Sequence, residues 1–331
     1  MSELIKEPLE QYGLSLSAKN SKRSLFSKIG VVGCGKEGRN IVNLTANAGL
    51  EVVFMEESEE RIEYVMNKLS DGLSTKVENW GLTQAEKRGI MNRITPTLSY
   101  DDFEGCDFVV ECSRYSEKGK RSTQLRKNIF KKLEEVLEPD AIIATNGSIV
   151  IISELAAELE HKERCVSLYF PVSHAGANVL EIVSGMYTSE EVYDRVVLFA
   201  KLIHYTPHRI NESNGNVSLR LVTVMLNEAC EVLMENVSSL EDIDRTFTVI
   251  YAQRFGIFRL ADIVGIERLV SLMEAMFNDY GDKKYKPNPI LWKLYRSQQL
   301  GVRTGKGFYL YDGDKPIGVN KAILSLNQKL L

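Results

Sequence analysis

In the first half of the chain the apolar positions fall into short runs: Ile29 to Val32, Glu51 to Met55, Cys106 to Glu111 and Ala141 to Asn146. Runs of this kind, with little polar alternation, predict strands buried on both faces, as in a parallel sheet. Between them the spacing becomes helical. Arg39 to Ala48 follows the first run, and Glu59 to Leu73 places Ile62, Val65, Met66 and Leu69 on one face. Thr83 followed by Glu86 predicts a capped helix start. Ile94 to Leu98 and Val166 to Phe170 read as further strands, Ser153 as the cap of a helix, and Leu202 to Thr206 as the last strand of this half. Beyond it three helical patterns dominate: Val217 to Glu235, Ser239 to Phe255 and Ile266 to Tyr280. An alternating strand–helix half followed by a helical half predicts two domains of different architecture.

The first run feeds Gly33-Cys34-Gly35-Lys36-Glu37-Gly38, and a helix follows at once. Gly33 permits a tight turn, Gly35 lets the backbone approach a pyrophosphate, and Gly38 lets the helix lie close on the strand. Free N–H groups at the helix start then face the phosphates. The second strand ends in Glu56-Glu57, at the spacing of an acid that binds ribose hydroxyls. Glu56 would repel a 2′-phosphate, and no arginine stands immediately after the strand to welcome one, so NAD is the expected cofactor. Cys34, Lys36 and Glu37 in the turn, and Asn146 at the end of a later strand, complete the candidate cofactor residues. The predicted fold is α/β, a Rossmann-type N-terminal domain with a mostly parallel sheet, plus an all-α C-terminal domain. The divisions are an N-terminal extension at 1–27, the NAD-binding domain at 28–207, a polar Gly/Asn-rich linker at 208–216 and the helical domain at 217–331.

Composition narrows the class. The 331 residues are 44% hydrophobic and 26% charged with a net charge of −4, values ordinary for a globular protein. Mild acidity argues against nucleic acid as a partner. Five scattered cysteines form no C-x-x-C pair and read as reduced thiols of a cytoplasmic protein. The four histidines show no zinc spacing, so no metal is expected, and no apolar run is long enough to span a bilayer. Between Cys112 and Leu133, Arg114, Lys118, Lys120, Arg121, Arg126, Lys127, Lys131 and Lys132 crowd together with Glu117 almost alone against them. This is either a solvated helix face or an electropositive approach for an anionic carrier.

The glycine turn, Glu56, Ala144-Thr-Asn-Gly-Ser148, Met225-Leu-Asn-Glu-Ala229, Leu260-Ala-Asp-Ile-Val-Gly265 and Gly305-Lys-Gly-Phe-Tyr309 occur in one order. Together they resemble the 3-hydroxyacyl-CoA dehydrogenase family, from about Lys28 to Asp312. The resemblance implies NAD-dependent interconversion of a 3-hydroxyacyl thioester and its 3-oxo form, on CoA or on an acyl carrier protein, and a homodimer formed by the C-terminal domain. It also implies a catalytic set of histidine, glutamate, serine and asparagine. Ser148 and Glu181 match that set. The histidine position falls on Ser167 and the asparagine position on Leu219, so two members are replaced. Arg220 and Asn227 keep family identity in a neighbourhood that reads as helix packing.

A serine hydroxyl is too weak an acid or base to replace imidazole, and a tyrosine near pKa 10 is a poor resting base but can donate a proton. Four readings follow. Tyr169, on the same strand face as Ser167, and Ser148 supply the proton; or His174 swings in as a displaced base beside Glu181. The chain binds NAD and an acyl thioester without turnover, as a regulatory or scaffolding relative; or the substrate rides on a carrier protein, which the basic stretch would suit. Each residue also has a plainer role: Tyr169 as a core aromatic, His174 as a surface histidine in a turn, Glu181 as a capping or ion-paired carboxylate, Ser148 as a turn residue.

Overall fold

The computed structural model describes residues 26–113, 123–147, 150–171 and 178–323. They fall into two compact units: one holds the described residues up to Tyr169 with Asn178–Glu212, the other those from Ser213 onward with Phe170 and Pro171.

The first unit is an eight-stranded sheet in the order β3-β2-β1-β4-β5-β6-β7-β8. Its strands are β1 (Lys28–Val32), β2 (Glu51–Met55), β3 (Ile94–Thr97), β4 (Phe108–Glu111), β5 (Ile142–Thr145), β6 (Cys165–Tyr169), β7 (Val179–Ser184) and β8 (Thr206–Asn211). Every pair is parallel except β6 and β7, so the sheet is mostly parallel, as expected. The helices are α1 (Lys36–Asn47), α2 (Glu59–Glu78), α3 (Gln84–Met91), α4 (Thr123–Val136), α5 (Ile152–Ala156) and α6 (Glu190–Leu202). Phe130 and Leu133 of α4 and Ile152 and Leu155 of α5 pack with Val109 and Ile143 in one buried cluster. In another, Phe108 meets Phe199 of α6 at 4.9 Å and Phe26 at 5.9 Å between ring centroids. Helices and their apolar faces thus cover the central strands, which explains why those strands read as unbroken apolar runs. Because β1 pairs with both β2 and β4, the turn after β1 lies where the strand order changes direction. Open α/β sheets bind their ligands at that point.

Thr83 caps α3 by the expected reciprocal bonds: its hydroxyl accepts from Glu86 N at 3.2 Å and its N–H donates to Glu86 Oε2 at 2.7 Å. Three expectations need correction. Ser153 lies inside α5, whose N-cap is Ile151; its hydroxyl donates to Glu212 at 2.6 Å. Leu202 ends α6, and the strand comes later, as β8, so that His208–Asn211 of the expected linker are strand residues. β8 is an edge strand with most of its residues exposed, which gives it the polar pattern of a loop.

The second unit contains α7 (Val217–Met234), α8 (Leu240–Arg245), α9 (Ile257–Val264), α10 (Ile266–Tyr280) and α11 (Pro289–Arg296). The pattern read as one helix from Ser239 to Phe255 is α8 followed by one π turn, Thr246–Ile250. A two-stranded hairpin, β9 (Tyr309–Asp312) with β10 (Lys315–Val319), departs from the all-α expectation. Asn227 and Arg220 hold the chain ahead of α11. The Asn227 amide donates to Lys284 O and Lys286 O, both at 2.9 Å, and Arg220 donates to the Tyr285 hydroxyl at 2.8 Å. Their work is packing, as the sequence suggested.

Candidate active site

At the carboxyl end of β1 the chain turns through Gly33, whose φ of +85° a side chain rarely adopts. α1 begins at Lys36 with Gly35 as its N-cap, and no side chain caps it. A Cβ at Gly38 would lie 2.2 Å from Gly33 O, so only glycine lets the helix sit this close. A Cβ at Gly35 would meet nothing within 4 Å; the backbone faces open space there. Uncapped N–H groups facing a clear approach suit a pyrophosphate. Gly33, Cys34, Gly35, Lys36, Glu37 and Glu56 line one cavity of about 410 Å³, with Arg61, Tyr100 and Ser113 among its other walls. Asn146 is not among the lining residues; its N–H donates to Glu111 O at 2.7 Å, tying the end of β5 to β4.

Glu56 is buried at the end of β2, and its Oε1 accepts from Cys34 N at 2.8 Å. The same oxygen is 3.4 Å from an Arg61 nitrogen. This arginine does not follow the strand immediately but reaches back from the first turn of α2, a contact that sequence spacing does not show. Desolvation and the Glu56 charge push the Cys34 thiol far above its ordinary range, so it is an inert wall.

A second polar group lies at the end of β4. Glu111 is fully buried; its Oε1 accepts from Ser113 N at 2.6 Å and its Oε2 from the Thr145 hydroxyl at 2.6 Å. Arg126 of α4 stands 3.2 Å from Oε2 and also donates to Thr145 Oγ1 and to Ser113 O. Burial raises the Glu111 pKa, and Arg126 opposes that rise. Arg126 is therefore no part of a solvated face. Lys127 and Lys131, in turn, pair with Glu154 and Glu158 from beyond the stretch. Arg114, Lys118, Lys120 and Arg121 lie outside the described residues, as do the candidates Ser148 and His174.

Tyr169 and Glu181 are both buried and stand directly opposite each other in the β6–β7 pair. Residues opposed in this way project to one face of the sheet with Cβ atoms about 5 Å apart. Ser167, two residues before Tyr169 on the same face, donates its hydroxyl to Thr145 O at 3.3 Å. His208, the exposed register partner of Glu181 on β8, continues the row. The register supplies what sequence spacing lacked, a tyrosine and a carboxylate side by side. Leu219 is buried on α7 of the second unit.

Residues 28–213 match the model of the 3-hydroxyacyl-CoA dehydrogenase NAD-binding domain, and residues 215–311 that of the 3-hydroxyacyl-CoA dehydrogenase C-terminal domain. The 3-hydroxybutyryl-CoA dehydrogenase of Clostridioides difficile is 29% identical over 86% of this chain and 99% of its own length. A probable 3-hydroxybutyryl-CoA dehydrogenase of Deinococcus radiodurans is 31% identical over 86% of this chain and all of its own. The crystal structure of (S)-3-hydroxybutyryl-CoA dehydrogenase from Ralstonia eutropha superposes with a TM-score of 0.79 at 29% identity, covering 87% of this chain and 99% of that one. NAD, expected from the glycine turn and Glu56, fits the residues that line the cavity. The chain belongs to the 3-hydroxyacyl-CoA dehydrogenase family of NAD-dependent oxidoreductases.

Proposed function

We propose that the chain interconverts a 3-oxoacyl thioester and the corresponding 3-hydroxyacyl thioester, working as a reductase with Tyr169 as the proton donor. The observation that carries this reading is the placement of Tyr169 opposite Glu181 on adjoining buried strands. When bound, NADH would supply the hydride and be left as NAD+; the protein's part is to orient the thioester and deliver one proton to the carbonyl oxygen. Ser167 takes the place of the family's histidine, and a serine hydroxyl cannot move that proton at neutral pH. A phenol near pKa 10 carries its proton at neutral pH. Such a tyrosine is a poor base and a serviceable acid, so reduction is the direction it serves. Ser148 is assigned to hold the carbonyl oxygen and Glu181 to fix the donor's charge environment. Gly33, Gly35, Lys36 and the start of α1 would hold the pyrophosphate, and Glu56 the adenosine ribose. The relatives are named for CoA-linked substrates, and CoA is the carrier assigned here. An acyl carrier protein remains the carrier to compare, because Arg114, Lys118, Lys120 and Arg121 of the basic stretch would suit one.

The test is oxidation of NADH in the presence of short 3-oxoacyl thioesters, on CoA and on carrier protein. Wild-type protein should turn over, and Tyr169→Phe should lower kcat by about a hundredfold, within the range of one positioned proton donor. His174→Ala should leave kcat within about threefold, too little to take away such a donor. A Tyr169→Phe variant of full activity would remove Tyr169 from the mechanism. No turnover on any thioester, with NADH still bound, would favour the non-catalytic reading.

A further inference from the structure

We propose that the cavity between α7 and α11 is a second nucleotide site, separate from the glycine turn, which takes phosphates on its lysines and a base against Trp292. All of its residues belong to the helical unit, so the inference stands apart from the thioester chemistry and from the cofactor cavity.

The cavity has a volume of about 570 Å³, inside the range of roughly 300–1,000 Å³ usual for small-molecule sites. Asn227, Glu228 and Glu231 line it from α7, and Trp292, Lys293 and Arg296 from α11. In each helix the three- and four-residue spacing puts these side chains on one face. Lys283 and Lys286, in the segment between α10 and α11, line it as well. That segment is fixed in place. Besides the bonds from the Asn227 amide to Lys284 O and Lys286 O, Asn227 Oδ1 accepts from Asn288 N at 3.1 Å, and Asn288 Nδ2 donates to Glu231 Oε1 at 2.8 Å. The walls are thus built before a ligand arrives, which spares part of the ordering cost of binding.

Charge decides what fits. Lys284 is paired with Asp282 at 2.8 Å, but among the described residues no ion pair joins Lys283, Lys286, Lys293 or Arg296 to a carboxylate. Cations gathered around one cavity repel each other, and an anion placed among them relieves that repulsion. A ligand charged along its whole length is disfavoured, because Glu228 and Glu231 line the same space from α7. An acyl chain would leave both sets of charges without a partner. Charge confined to one end of a flat, polar remainder suits every wall. Trp292 is half-buried beside Lys293, and the Arg296 guanidinium carbon lies 5.2 Å from its ring centroid. Nucleobases stack on such a ring, and a base amino group has carboxylate acceptors in Glu228 and Glu231.

Trp292 also supplies the readout. The chain has two tryptophans, and Trp80, in the other unit, is 96% exposed. In a Trp80→Phe background, ADP titrated into the full-length protein should change Trp292 fluorescence saturably. Lys286→Glu with Lys293→Glu should weaken that binding by about tenfold or more, the scale of one hydrogen bond to a charged group. NADH binding, followed by nicotinamide fluorescence, should be unchanged in the same variant, because the two cavities share no residue. Pyrophosphate and adenosine, each offering half of the ligand, should bind about tenfold more weakly than ADP. CoA contains the same adenosine phosphate: binding tighter than that of ADP would identify the thioester's carrier as the source, and weaker binding a free nucleotide. Should the double reversal fail to fold by circular dichroism, Lys283→Gln with Lys286→Gln, both on the exposed segment, takes its place. No saturable change with millimolar ADP, pyrophosphate binding as tight as ADP, or ADP binding untouched by the lysine variants would overturn the site.

Discussion

Glu111 carries a carboxylate with no exposed surface, a cost met only because its oxygens are engaged by Ser113 N, the Thr145 hydroxyl and the Arg126 guanidinium. Arg126 in turn gives its other nitrogen to Ser113 O at 2.7 Å, so the group locks the end of β4 to α4 and β5. Gly147 is part of the arrangement, since a Cβ there would come 2.1 Å from Arg126 Nη1. Removing the cation leaves a buried charge unpaired, a change that costs roughly 3–5 kcal/mol, more than deleting an exposed pair by several-fold. Arg126→Ala should therefore lower the unfolding free energy by about that amount in urea titrations at pH 7. Glu111→Gln combined with Arg126→Met should recover most of it, because no charge is then stranded. An unchanged urea midpoint for Arg126→Ala would mean that the network holds nothing together. In the sequence Arg126 is one of eight cations in a crowded stretch. Nothing in its spacing separates it from its neighbours, because its partner is brought by β4 and not by its own helix.

At the scale of elements, the C-terminal hairpin is clamped onto α9 by one acid. Asp262 Oδ1 accepts from Phe308 N and Oδ2 from Tyr309 N, both at 2.9 Å, and Oδ2 also accepts the Tyr311 hydroxyl at 2.9 Å. A Cβ at Gly307 would overlap the carboxylate at 1.9 Å, and one at Gly301 would lie 2.2 Å from Asp262 O, so these two glycines let the backbone close around it. Burial pushes the Asp262 pKa up to about 7, against three hydrogen bonds that favour the charged form. The folded pKa exceeds the unfolded value near 3.9, so the folded state binds the extra proton. The stabilising contribution of that proton is complete below about pH 4 and is lost as pH rises towards 7. Asp262→Asn should flatten that part of the Tm–pH curve while lowering Tm at acid pH, because an amide presents an N–H to one of the three donors. A variant whose curve keeps the wild-type slope between pH 4 and 7 would assign the titration elsewhere. Both sides of this clamp lie in stretches that carry the family resemblance, Leu260 to Gly265 and Gly305 to Tyr309, but the role of the acid was not legible. Asp262 sits in a helical apolar pattern, where only the hairpin's approach reveals why a carboxylate is tolerated.

Across the whole molecule, legibility followed burial. Strands β1, β2, β4 and β5 are covered on both faces and announce themselves as apolar runs, and the glycine turn is dictated by backbone geometry that only glycine satisfies. Edge strand β8 and the antiparallel β6–β7 register leave no such trace, and the Tyr169–Glu181 juxtaposition is a product of that register. Exposure carries information of its own on the helical unit. Val217, Leu221 and Met225 recur every four residues along α7 and are 49%, 61% and 41% exposed. That spacing puts them on one helix face, where a soluble helix ordinarily carries polar residues. A homodimer, expected from the sequence resemblance and tested below, would give this stripe a use: two copies of α7 meeting about a two-fold axis, each presenting the same surface. Three side chains cannot fill a stable interface, which buries on the order of 1,200–2,000 Å² in total, so they would form its centre, where a charge is least tolerated. Light scattering coupled to gel filtration should give twice the chain mass for wild-type protein and the single-chain mass for Leu221→Glu. NADH binding should survive in that variant, because every residue lining the glycine-turn cavity belongs to the other unit. A wild-type protein that stays single-chain at tens of micromolar, or a Leu221→Glu variant that keeps the doubled mass, would take α7 out of the dimer.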